Sequence, residues 1–252
     1  MLADVAVIHP GPPTACDERQ PASAVRLTLL GAFQLTIDGE PVRLPMNGQR
    51  VLAFLALEGR LLLRSFVAGS LWMDVTDDRA GASLRSALWR LNRHRRLVEA
   101  DGQRLQLGQE IMVDVDAAVA QAESLLGPAA DACPSPHSML LRRDLLPDWY
   151  DDWVTLDRER FRQLRMHALE RLCDRLTDAR RFGEAIEAGL EAARVEPLRE
   201  SAHRAIIRVH IAEGNRSEAL YHYQSYRKLL DDELGLEPSP EMASLIASLT
   251  SR

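Results

Sequence analysis

Two stretches of this chain repeat one another. DARRFGEAIEAGLEAARVEP begins at Asp178 and AEGNRSEALYHYQSYRKLLD at Ala212, so that Glu184-Ala185 and Glu218-Ala219 stand 34 residues apart. A 34-residue period is that of tetratricopeptide helical hairpins, each of which buries its apolar face only by stacking on the next. Ala185 and Ala219 are small enough to let paired helices approach closely, and Pro197 and Pro238 stop helices. Upstream, LLPDWYDDW leads into a long helix with Phe161, Leu164, Ala168, Leu172 and Leu176 on one stripe, and no strand signal follows. Tyr221, Tyr223 and Tyr226 offer a ligand groove, but at helical spacing inside a repeat such tyrosines are more often core. An all-α tetratricopeptide-like domain is therefore expected over residues 116–252, with a hinge or flexible loop at Gly127 to Ser138, rich in Ala, Pro and Ser.

The preceding residues follow a different period. Val25 to Leu44 alternates apolar and polar positions, broken by Gly31 and by the turn Asp38-Gly39, which predicts a small antiparallel sheet. GQRVLAFLALEG then places Val51, Leu52, Leu55 and Phe54 toward one helical face, with Gly59 as its stop. Arg64 to Trp72 reads as a second helix with Phe66, Val67, Leu71 and Trp72 available for packing, and Asp77 or Asp78 as the cap of a third. In that third helix Leu84, Leu88 and Leu91 recur at i, i+4 and i+7 and point inward. Arg79, Ser83, Ser86, Trp89, Arg90 and Arg93 lie opposite. Asp101-Gly102 between two strand-like runs is the signal of a two-residue hairpin turn. Helix, helix, basic helix and hairpin is the order of a winged helix, expected over residues 25–115. The fold class is thus mainly α with a small β part.

Charge divides along the same line. The net charge is −6, yet Val25 to Asp116 carries 12 arginines against 11 carboxylates, and Arg79 to Arg96 holds six arginines and no acid. A basic stripe on an acidic protein suits a phosphate surface, although charge alone leaves a solvated helix face as an equal reading. A helix of this kind fits the major groove, where Arg bonds guanine and Ser or Trp contacts thymine methyls or backbone. Arg79 and Arg96, at the helix ends, are expected on phosphates, and Gln103 and Arg104, near the hairpin tip, on neighbouring backbone. Trp89 has a second reading as a packing residue against the hairpin.

Several function classes lack their residues. DWYDDW, Asp148 to Trp153, resembles a sugar site in composition, but its acids sit at a helix start and no cleft-forming domain surrounds it. The single lysine, Lys228, follows no glycines, so no phosphate loop exists. His203 and His210 lack HExxH spacing, and Cys16, Cys133 and Cys173 lack metal spacing and read as reduced thiols. Neither catalysis nor a cofactor or metal is expected. No apolar run reaches the ~18 residues of a membrane span, and Asp4 with a short apolar stretch opposes a secretory signal. A cytoplasmic, nucleoid-associated protein with a disordered leader over residues 1–24 is the expectation.

LTLLGAFQLTIDGEPVRLP, SLRSALWRLNR, LLPDWYDDWV and RESAHRAIIRVHIAEGNRSEALYHYQSYRKLLDDELGLEPSPE together resemble the Streptomyces antibiotic regulatory protein family, over roughly residues 25 to 250. Its members join a response-regulator-type winged helix to a bacterial transcriptional activator domain. The resemblance implies a pathway-specific activator that binds promoter direct repeats as a homodimer and recruits RNA polymerase holoenzyme to a secondary-metabolite gene cluster. It assigns DNA reading to the third helix and wing, and a candidate polymerase contact to Met73, Asp74, Asp77 and Asp78. The chain resembles the small members, without the ATPase, sensor or receiver domains of larger regulators. The competing readings are a tetratricopeptide-type signalling adaptor, in which the basic helix is merely solvated, and a repressor using the same DNA contacts.

Overall fold

The computed structural model describes residues 25–93, 95–127 and 139–250. The expected leader, Cys16, Cys133 and nearly all of the expected hinge lie outside these residues.

The alternating segment forms β1 (Val25–Thr28), β2 (Gln34–Ile37) and β3 (Glu40–Val42), antiparallel in sequence order. Asp38 and Gly39, at φ 53° and 86°, make the β2–β3 connection, both positive as a type I′ hairpin requires. A fourth strand, β7 (Ile111–Val113), pairs parallel to β1, with Val25 opposite Ile111. Three residues carry no period, so this strand has no signature of its own in the sequence.

α1 (Met46–Glu58), α2 (Arg64–Leu71) and α3 (Asp77–Leu91) follow, with a second sheet of order β4-β6-β5 made by β4 (Leu62–Leu63), β5 (Val98–Asp101) and β6 (Arg104–Leu107). Gly59 ends α1 in the left-handed region at φ 59°. Val51, Leu52, Phe54 and Leu55, Val67 and Leu71, and Leu84, Leu88 and Leu91 are all buried, as their spacing predicts. Three expectations need correction. Phe66 is exposed rather than buried, touching only the edge of the core through Phe54, 6.0 Å between ring centroids. Thr76, not Asp77 or Asp78, precedes α3, and no side chain caps it; both aspartates lie in its first turn and act on the helix dipole alone. The hairpin turns at Gly102-Gln103, because Asp101 pairs with Arg104. Gly102, φ 56°, takes the first central position, and β6 is held from its other side by β4, with Leu62 opposite Leu105.

The remaining elements are α4 (Asp114–Leu126), a 3-10 turn (Met139–Arg142), α5 (Asp152–Asp178), α6 (Phe182–Val195), α7 (Glu200–Glu213), α8 (Arg216–Leu234) and α9 (Pro240–Thr250). α6 with α7 and α8 with α9 are the two repeat hairpins, stacked in sequence order on α5. Ala185 and Ala219 are buried, but the tightest approach is at Gly189, where an added Cβ would meet Ile206 Cγ1 at 2.6 Å. The tyrosine stripe divides: Tyr226 is buried against His203, Tyr223 is half-buried and Tyr221 is exposed. Cys173 is buried between helices, and burial pushes its thiol up to about 12, which leaves it unreactive.

The halves share one continuous core. Gly31 N–H donates to the Asp144 carbonyl at 2.7 Å and Leu146 N–H to the Leu29 carbonyl at 2.9 Å, extending the β1 segment onto the chain before α5. Trp149 stacks on Phe33 and Trp153 meets Phe54 edge-on, at centroid distances of 5.9 Å and 5.2 Å. Arg50 of α1 reaches Asp151 at 2.5 Å and the Leu71 carbonyl at 2.7 Å. DWYDDW is thus a structural joint between the halves.

At the start of α4, the two carboxylate oxygens of Asp114 accept Leu29 N–H at 2.8 Å and Leu30 N–H at 3.1 Å. Asp114→Ala leaves both buried amides unpaired and is expected to cost about 2–4 kcal/mol in urea unfolding; a loss below about 0.5 kcal/mol would show that other groups hold the β1 end. A second test uses pH. His222 Nε2 lies 3.0 Å from His203 Nδ1, and burial, then His203 and His210, lowers His222 to about 4. The unfolded chain therefore binds this proton first, near 6.5, so stability falls as pH drops from about 6.5 toward 4. His222→Gln is expected to flatten the melting temperature over that window relative to wild type; parallel curves would assign the slope to carboxylates.

Candidate nucleic-acid interface

α3 holds the sequence-predicted residues on a single exposed side. Its leucines face the core, so Ser86, Trp89, Arg90 and Arg93 project outward, with Ser83 half-buried and Arg79 exposed one turn into the helix. The Trp89 side chain is 64% exposed and carries the Arg93 guanidinium over its ring at 4.8 Å. Its two readings are thereby resolved toward an exposed residue: the indole edges a cleft of about 350 Å³ with Val98 and Leu105 of the hairpin but is not packed into it. A larger cleft of about 740 Å³ separates α3 from the first turn of α1 and brings Ser83, Ser86, Arg90 and Arg93 opposite Pro45 and Asn47.

The hairpin residues stand on the other flank. Arg64 N–H donates to the Gln103 carbonyl at 2.8 Å, which ties the hairpin tip to the start of α2. Gln103 shares a cleft of about 610 Å³ with Arg64, Asp77 and Arg85. Arg104 is exposed on β6 between Asp101 and Leu63 of its neighbouring strands, and Arg96 is exposed just before β5. Gln103 and Arg104 therefore flank α3 on the side away from the Ser83, Ser86 and Arg90 cleft. Met73 and Asp74 lie beyond the far end of α3, about 20 Å along the axis from Arg90, with Met73 63% exposed.

Two cations were missed by the periodicity. Arg85, one position after Leu84, turns toward the hairpin and lines both clefts on that side, and Arg64 joins it. The six-arginine window contained Arg85; only the choice of a face opposite the leucines removed it. Arg95, in the same window, is held by Asp38 at 3.7 Å and Glu110 at 3.4 Å.

The arginines on and beside α3 differ in their pairing from several of the helical half. Among the described residues, Arg79, Arg85, Arg90, Arg93, Arg96 and Arg104 have no carboxylate partner, whereas Arg162, Arg181, Arg194, Arg199, Arg208 and Arg227 of the helical half each do. Unneutralised guanidiniums on a protruding helix bind phosphate and read guanine edges. No helix among the described residues is long and apolar enough to cross a membrane.

The model of the bacterial transcriptional activator domain matches residues 116–250, more than half the chain. The chain belongs to the bacterial transcriptional activator domain family. Within that family it is of the Streptomyces antibiotic regulatory protein type. Regulatory protein AfsR of Streptomyces coelicolor is 28% identical over 246 residues, covering 90% of this chain and 24% of AfsR. Regulatory protein AfsR of Streptomyces griseus is 26% identical over 243 residues, covering 89% and 24%. The chain thus spans about a quarter of the length of these curated relatives. The structure of Mycobacterium tuberculosis EmbR, solved in complex with a low-affinity phosphopeptide, superposes with a TM-score of 0.71 at 21% identity, over 90% of this chain and 65% of that one. At that identity the likeness concerns the fold, mainly helical with a small N-terminal β part.

Because Trp89 is exposed, Trp89→Ala is expected to change thermal stability by less than about 0.5 kcal/mol, while Leu84→Ala on the buried face costs about 2–5 kcal/mol. Equal losses in calorimetry would place the indole in the core.

Proposed function

We propose that this protein is a transcription activator that binds promoter DNA sequence-specifically through α3 and the β5–β6 hairpin and switches on a secondary-metabolite gene cluster. The observation that carries this reading is the cluster of exposed arginines on and just after α3, Arg79, Arg85, Arg90 and Arg93, none with a carboxylate partner among the described residues. Residues 25–115 act as the DNA-binding part and residues 116–252 as the activator part. Arg90 and Arg93, with Ser83, Ser86 and Trp89, enter the major groove. Arg79, Arg96, Gln103 and Arg104 hold the flanking backbone, and Arg85 joins them. Two protomers lie side by side on direct repeats spaced by about one helical turn. Met73, Asp74, Asp77 and Asp78, at the end of α3 remote from Arg90, contact RNA polymerase holoenzyme, and the site of action is the nucleoid.

Neutralising about six phosphates per protomer gives a slope near −5 for log K against log salt. Genomic pull-down with footprinting at two salt concentrations is expected to protect spaced direct repeats upstream of a biosynthetic cluster. Arg90→Ala is expected to weaken specific binding by about 1–3 kcal/mol and to relax preference at one base pair, whereas a phosphate contact would weaken all sequences alike. A flat salt response, or unaltered binding by Arg90→Ala, returns α3 to a solvated face.

A further inference from the structure

We propose that a cavity between the joint and helices α5 and α6, far along the chain from α3, binds a phosphate group, either free or carried by a small molecule. At its back is Arg165, 1% exposed, whose Nη2 donates to Asp144 Oδ1 at 2.5 Å. Its Nε and Nη1 are also buried and have no hydrogen-bond partner among the described residues. Burying guanidinium donors without acceptors is costly, and the neighbouring Arg158 shows the usual solution, donating to three backbone carbonyls. Arg165 lines a cavity of about 300 Å³ together with Arg158, Arg162 and Arg194.

Four arginines thus line the cavity with one carboxylate, Asp144; Arg162 is paired with Glu159 and Glu196 and Arg194 with Glu191, so the unsatisfied buried donors in the lining are those of Arg165. The acids that pair with Arg162 and Arg194, namely Glu159, Glu196 and Glu191, are not part of the wall, and Arg158 has no carboxylate partner among the described residues. Guanidinium forks match tetrahedral oxyanions through paired N–H donors. A phosphate monoester, with a charge of about −2 and three acceptor oxygens, supplies the acceptors that Arg165 lacks and a counter-charge for Arg158. The volume is at the small end of ligand sites, and Phe161, Pro147 and Val195 supply an apolar wall for a short organic group.

The experiment is isothermal titration of the full chain with inorganic phosphate and with glycerol 3-phosphate, at constant ionic strength set with chloride. Saturable one-to-one binding is expected, and whichever probe binds more tightly identifies a free or a carried phosphate. Arg165→Met and Arg194→Ala are each expected to weaken it at least about tenfold, the loss of one charge-assisted hydrogen bond. Arg194 is more than half exposed, so its alanine variant folds even where Arg165→Met does not, and its melting curve checks this. Arg90→Ala is expected to leave phosphate affinity unchanged, which separates this site from the DNA face. No saturable binding of either probe, or binding lost in Arg90→Ala and retained in Arg194→Ala, overturns the proposal.

Discussion

The placement of the winged helix on the helical array depends on Arg158. The chain entering α5 belongs to no regular element, and its carbonyls need donors. Arg158 supplies them from one turn inside α5, donating to the carbonyls of Leu145 at 3.0 Å, Leu146 at 2.5 Å and Trp149 at 2.7 Å. Leu146 is held at φ 41°, a conformation that a residue with a bulky side chain adopts only when its surroundings over-determine it. Here the carbonyl is fixed by Arg158 and the amide by Leu29. With the segment pinned in this way, Trp149 faces Phe33, Trp153 faces Phe54, and Asp151 is delivered to Arg50.

That joint has a consequence for α3. Arg50 also donates to the Leu71 carbonyl at the end of α2, so the joint grips α1 and α2 together. α3 packs on both through Leu84, Leu88 and Leu91, and its other side is left to solvent. The acids that neutralise arginines in the helical half lie within their own or adjacent helices, as with Glu159 and Arg162 or Glu170 and Arg199. Arg90 and Arg93 have no such acid partner among the described residues, and their own segment, Arg79 to Arg96, contains none.

Much of this was legible in the sequence, where period and turn chemistry carry local information. The leucine stripe of α3, the Asp38-Gly39 turn, the stop at Gly59 and the 34-residue repeat each specify their element through neighbours close along the chain. What escaped was set by tertiary contact. The parallel pairing of β1 with β7 joins residues 86 apart, Val25 and Ile111. The hairpin turn lies one residue further on, at Gly102-Gln103, where β6 also pairs with the distant β4 and Arg64 N–H donates to the Gln103 carbonyl. Arg85 was passed over because a helical wheel gives angles without saying that a hairpin lies on one flank. The acids of DWYDDW suggested chemistry, yet their neighbours in space are an arginine and aromatic rings.

The shared core also bears on how protomers meet. A single hydrophobic cluster runs from Val25 to Val209 and joins α3 to the helical half as far as α7, while Ala219, Tyr226, Leu230 and Met242 of α8 and α9 belong to a second one. A globule of about 130 residues has a radius of gyration of about 14 Å, equivalent to a sphere about 36 Å across. On the direct repeats proposed above, one helical turn separates neighbouring α3 helices by about 34–36 Å. Head-to-tail helical halves of that size would come into contact without reaching for one another. If protomers pair on DNA as proposed, the joint bears on it: a flexible linker would let each helical half settle independently, whereas Arg158, Arg50 and the tryptophans fix where it points.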